Sequence, residues 1–119
     1  MFFFFYNYIY IMSKKLPYSV TTDTLKHIDF SFDLSEDTSS ALVVHQLLNS
    51  LLSSINQETK LRDISNGDII QALSMALGVR VKMMYGDDKV KEDIAINCVK
   101  KALNSCKYAK EQEQISGTS

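Results

Sequence analysis

Residues 28–55, IDFSFDLSEDTSSALVVHQLLNSLLSSI, change their hydrophobic period once, and that change sets the fold class. Ile28, Phe30, Phe32 and Leu34 alternate with Asp29, Ser31 and Asp33. A period of two with β-branched and aromatic residues on one face predicts a short, half-buried strand. Beyond Leu34 the alternation stops. Ser35 offers a hydroxyl cap, and Glu36 and Asp37 put negative charge into a first turn, where the helix dipole favours it. Ala41, Val44, Leu48, Leu51 and Ile55 then recur at three and four, and Val43, Leu47 and Leu52 widen the stripe. The spacing predicts a first helix to about Gln57 with an unusually broad apolar face.

Downstream, Ser65 and Asp68 fit an S-x-x-D capping box, and Ile64 and Ile69 occupy the positions of a hydrophobic staple. A second helix follows, with Ile70, Leu73, Leu77 and Met84 as its buried stripe. Ala72, Ser74, Ala76 and Gly78 give it small surfaces. Glycine inside a helix costs about 1 kcal/mol relative to alanine, so Gly78 implies a close contact or a local break. Tyr85-Gly86-Asp87-Asp88 reads as a turn with a cap. A third helix then runs from about Lys89 to Lys110, with Ile94, Cys98, Val99, Ala102, Leu103, Cys106 and Ala109 inward. The expected fold is mostly α: three amphipathic helices and one short N-terminal β-strand in a small single-core bundle over residues 13–110.

The chain has 119 residues and 13.5 kDa, enough for one domain. Thirteen basic and 14 acidic residues give a net charge of −1, which argues against a chain devoted to nucleic acid or an anionic membrane. Residues 1–12, MFFFFYNYIYIM, hold seven of the twelve aromatic residues. They fall short of the roughly 20 apolar residues of a transmembrane helix. They also lack the basic start and small-residue cleavage site of a secretory signal. Two readings follow: a non-native extension ahead of a start at Met12, or a short hydrophobic anchor with Lys14 and Lys15 at its edge. Residues 111–119, EQEQISGTS, have one apolar residue and no period, and are expected to be a disordered tail.

Candidate chemistry is sparse. His27, His45, Cys98 and Cys106 are the only strong nitrogen and sulfur metal ligands, and they form none of the usual short pairings. Cys98 and Cys106 lie eight residues apart, about 12 Å along a helix, too far for a disulfide or one metal. Both are expected to be buried thiols in a reducing, cytoplasmic setting. Asp87, Asp88, Glu92 and Asp93 are accounted for by a helix start. No Walker loop, G-x-G-x-x-G or G-x-S-x-G occurs, so the sequence calls for no cofactor, no metal and no small-molecule substrate. It reads as a non-enzymatic protein.

The segments Asp29-Phe30-Ser31-Phe32-Asp33-Leu34-Ser35-Glu36 and Ser65-Asn66-Gly67-Asp68-Ile69-Ile70 lay out a strand, a capped helix and a second capped helix. Over residues 27–80 this resembles the ribbon-helix-helix DNA-binding proteins. The resemblance implies a sheet built from two chains and a strand face laid in the major groove. That face would present Asp29, Ser31 and Asp33, whereas base edges are usually read by Arg, Lys, Asn or Gln, and carboxylates meet phosphate repulsion. Helix one and its link are also long for that family. A separate basic patch, Lys100, Lys101, Asn104 and Lys107 with Lys110 nearby, supplies candidate phosphate contacts for a nucleic-acid partner.

Charge is divided along the chain. Residues 21–68 hold three basic and eight acidic residues, −5, and residues 69–110 hold eight basic and four acidic, +4. In a homo-oligomer these halves would attract. Three helices leave part of the first helix's broad face uncovered, and such patches mark interfaces. The function expected from sequence is therefore a protein-interaction module that self-associates, with Val43, Leu47 and Leu52 as contact candidates. A nucleic-acid binder and a membrane-peripheral protein held by residues 1–12 are the alternatives.

Overall fold

In the computed structural model, which describes residues 15–113, the chain runs β1 (Lys15–Thr21), β2 (Lys26–Asp33), α1 (Ala41–Leu61), α2 (Asn66–Met83), α3 (Asp88–Lys107) and β3 (Lys110–Glu113). The aromatic segment 1–12 lies outside the described residues. Three helices appear as expected, and the chain is mostly α. The single expected strand is instead the centre of a three-stranded antiparallel sheet of order β1-β2-β3.

β1 alternates Leu16, Tyr18 and Val20 with Pro17, Ser19 and Thr21, and Pro17 is tolerated because β1 is an edge strand. Its register with β2 sets Leu16 against Phe32 and Tyr18 against Phe30 on one face. On the other face Lys15 meets Asp33, Ser19 meets Asp29 and Thr21 meets His27. The hairpin closes through the Thr22 carbonyl, which accepts the Leu25 N–H at 2.9 Å, and the Thr22 hydroxyl, which accepts the Lys26 N–H at 3.1 Å. Leu25 adopts a left-handed conformation, φ 63°.

β3 replaces the start of the expected tail, and α3 ends three residues before Lys110. Lys110 pairs with Asp29 and Gln112 with His27. Charge and backbone pairing hold this strand in place. It carries no apolar alternation, which is why periodicity does not reveal it. Residues 114–119 of the expected tail lie outside the described residues.

The start of α1 also differs from expectation. Ser35 closes a turn, its hydroxyl accepting the Asp37 N–H at 3.0 Å and its carbonyl the Thr38 N–H at 3.0 Å. The helix begins five residues later, where the Ser40 hydroxyl accepts the Val43 N–H at 3.2 Å. A short Ser-to-backbone turn competes with helix entry, and here it wins. α2 starts as its capping box dictates: Asp68 N–H donates to the Ser65 hydroxyl at 3.1 Å, and Ser65 N–H donates to the Asp68 carboxylate at 3.2 Å. Asp87 caps α3 by accepting from Lys89 and Val90 N–H at 3.1 and 3.2 Å. Gly78 lies in an unbroken helix, and a Cβ placed there would meet nothing within 4 Å. The expected close contact is absent from this chain's own packing.

The chain divides into two units, residues 46–99 and the remainder. The described part of the remainder holds the sheet, the first turn of α1 and the end of α3. Leu16 and Tyr18, each 8% exposed, are its buried apolar residues. Tyr18 meets His45 edge-to-face at 5.3 Å, and the Ser105 hydroxyl, on a buried side chain, accepts the Asp33 N–H at 3.4 Å. The unit 46–99 is different. No apolar residue in it is buried, and the expectation of a single core inside the helical bundle is overturned.

Candidate interaction surface

Fifteen large apolar side chains of residues 46–99 stand exposed. A segment of about this size is marginal even with a closed core. Amphipathic helices gain most of their stability from tertiary packing of the apolar face. These helices therefore carry their hydrophobic surface outward, and it is the most distinctive chemical feature of the molecule.

Two grooves organise that surface. The first, about 580 Å³, lies between α1 and α2 and is walled by Leu51, Ile55, Ile69, Ala72 and Leu73. Charged side chains also line it: Arg62, which pairs with Glu58 at 2.9 Å, and Asp63 and Asp68. The second, about 400 Å³, is walled by Leu77, Gly78 and Val81 of α2 and by Ala95 and Ile96 of α3. Lys91 stands at its rim. Its ammonium donates to the Met84 carbonyl at 2.9 Å and pairs with Asp88 at 3.2 Å, with only 6% of the residue exposed. The hydrogen bond from Lys91 and the field of Lys82 hold the Asp88 carboxyl below its ordinary value. Lys91 thus ties the end of α2 to the first turn of α3. Sequence reasoning passed over this residue, because one lysine near a helix start carries no signal of burial.

The contact candidates Val43, Leu47 and Leu52 are all exposed on α1, Leu47 to 59%. On α2 sequence reasoning recognised one stripe, and the helix carries two. Besides Ile70, Leu73 and Leu77, a second row of Met75, Val79 and Met83 stands about 60% exposed. The i, i+4, i+8 spacing of that row was available in the sequence. Both cysteines, expected to be buried, are exposed free thiols. Partial desolvation pushes the Cys106 thiol above its ordinary value.

The polar face of the sheet gathers Ser19, His27 and Asp29. The Ser19 hydroxyl donates to Asp29 at 2.6 Å, and His27 Nε2 lies 2.9 Å from the same oxygen. A nucleophilic triad needs its hydroxyl bonded to the imidazole. Here both groups turn to one carboxylate, which the Ser19 bond, His27 and Lys110 hold below its usual range. Asp33 is depressed likewise by its 2.7 Å pairing with Lys15 and by the field of Lys101. The carboxylates of the face proposed to read DNA are thus engaged within the chain. β2 has both its edges paired intramolecularly, which removes the two-chain sheet that the ribbon-helix-helix layout requires.

Lys100, Lys101 and Lys107 are exposed on α3 and Lys110 on β3. Lys101 and Lys110 act on the strand carboxylates Asp33 and Asp29, so the basic patch is partly neutralised by its own chain. Among the described residues, no cluster of three or more His, Cys, Asp or Glu side chains is placed to hold a metal, and no helix is long and apolar enough to cross a membrane. Comparison with protein-family models, curated proteins and solved structures gives no match to this chain.

Proposed function

We propose that the chain is a non-enzymatic protein-interaction module whose helical part completes its hydrophobic core by self-association. One observation carries this reading: residues 46–99 bury no apolar side chain while exposing fifteen large ones. Covering them supplies the driving force, at about 1.5–3 kcal/mol for each such side chain fully buried. Val43, Leu47 and Leu52 extend the apolar surface along α1 and are the contact candidates there. The acidic stretch 21–68 and basic stretch 69–110 favour encounter between copies. Two exposed free thiols suit a reducing compartment, and we place the protein in the cytoplasm on that ground.

Leu47→Glu and Leu52→Glu test the reading. Each is expected to shift the oligomer toward single chains in light scattering after gel filtration, with the far-UV circular dichroism of the hairpin and helices retained. An assembly that survives both substitutions with unchanged mass would remove α1 from the interface.

A further inference from the structure

α2 holds the most specific information about what covers this surface. Its central residues, Ile69–Val79, are apolar on nearly every side, and residues 70–80 are all exposed. A helix apolar all round belongs in the interior of an assembly. The α1–α2 groove takes Ile69, Ala72 and Leu73, and the α2–α3 groove takes Leu77, Gly78 and Val81. A third row at i, i+4 and i+8, Met75, Val79 and Met83, stands about 60% exposed. Asp68, Met75 and Lys82 recur at intervals of seven residues, two turns apart, with Asp68 also at the edge of the α1–α2 groove and Lys82 at the edge of the α2–α3 groove.

We propose that this face docks on the same face of a second copy of the chain, with the two α2 helices antiparallel about a two-fold axis at Met75. The proposal rests on the self-association reading above and adds a contact on α2 to the candidates on α1. Charge fixes the direction. An antiparallel pair centred on Met75 sets Asp68 beside the partner's Lys82 at both ends, whereas a parallel pair sets Asp68 on Asp68 and Lys82 on Lys82. Helix dipoles favour the same choice. The register also sets Gln71 opposite the partner's Val79, and Ala72 opposite the partner's Gly78. Ala72 and Gly78 flank the row where the two grooves begin and add little bulk beside it, and a Cβ at Gly78 would meet nothing within 4 Å. Methionine at the axis is an adaptable side chain that packs against its own image. Met75, Val79 and Met83, each about 60% exposed, form the apolar centre of this contact. Sheet pairing is a poor competitor, since one edge carries Pro17 and the other is the short charged strand KEQE.

Disulfide trapping tests the register, in full-length chain carrying Cys98→Ser and Cys106→Ser, with folding checked by circular dichroism. Met75→Cys is expected to form a covalent dimer on mild oxidation. Gln71→Cys and Val79→Cys are expected to remain single chains alone and to cross-link when mixed. Self-cross-linking of both Gln71→Cys and Val79→Cys would show a parallel pair and overturn the proposal. A dimer by light scattering that no cysteine pair on α2 traps would overturn the α2 seam and leave self-association standing. A single chain at all concentrations, with its helices intact, would overturn both.

Discussion

Lys91 shows how much one side chain decides in a unit with so little buried. Its ammonium satisfies the Met84 carbonyl beyond the end of α2 and neutralises Asp88 in the first turn of α3. A charge-assisted hydrogen bond of this kind is worth about 1.5–3 kcal/mol, and the open side of the Asp88 pair places this one at the low end. Lys91→Met keeps the aliphatic stem and removes the donor. It is expected to lower stability by about 1.5 kcal/mol in chemical denaturation. Leu25 makes the opposite prediction. A left-handed conformation costs a non-glycine residue about 1–2 kcal/mol, and the Leu25 side chain is exposed. Leu25→Asn is therefore expected to raise stability by about 0.5–1 kcal/mol, seen as a higher melting temperature.

Asp29, Asp33 and Asp88 all have carboxyls held below the ordinary 3.8. A depressed folded-state value contributes stability above the unfolded value, and that contribution is lost as the pH falls through the folded one. The unfolding midpoint should stay level from neutrality to about pH 5 and then fall through the acid range below 3.8. The Ser19 hydrogen bond is the largest cause of the Asp29 depression. Ser19→Ala should consequently flatten the acid limb while leaving the neutral plateau lower. An acid limb unchanged in that variant would contradict the assignment.

At the scale of elements, α2 is the part most fully written in local sequence. Its capping box forms with both reciprocal hydrogen bonds, and Ser65→Ala is expected to cost about 1 kcal/mol and to fray the first turn in amide exchange. The start of α1 was less legible, because Ser35 and Ser40 both offer a hydroxyl and only tertiary structure chooses between a turn and a cap. β1 was legible in principle. Leu16, Tyr18 and Val20 alternate, but Pro17 conceals them unless the strand is known to be an edge. β3 was not legible, since Lys110 to Glu113 have no apolar period and owe their conformation to the register of β2. Exposure of the α1 face at Val43, Leu47 and Leu52 is as expected, whereas the outward apolar faces of α2 and α3 are not. Periodicity locates a stripe that needs covering and says nothing of whether the cover comes from the same chain.

For the whole molecule, the exposed helices and the buried hairpin face pose different problems. Leu16 and Tyr18 find partners within the chain, whereas the apolar faces of residues 46–99 do not. The proposed self-association would resolve that imbalance, and light scattering after gel filtration of the full chain tests it most directly. The expected molar mass is twice 13.5 kDa, retained at high salt, with α2 amides more strongly protected from exchange in the dimer than after dilution to single chains. A mass of 13.5 kDa at every concentration, with α2 amides protected, would mean that the helices close their own core, and it would contradict the central claim.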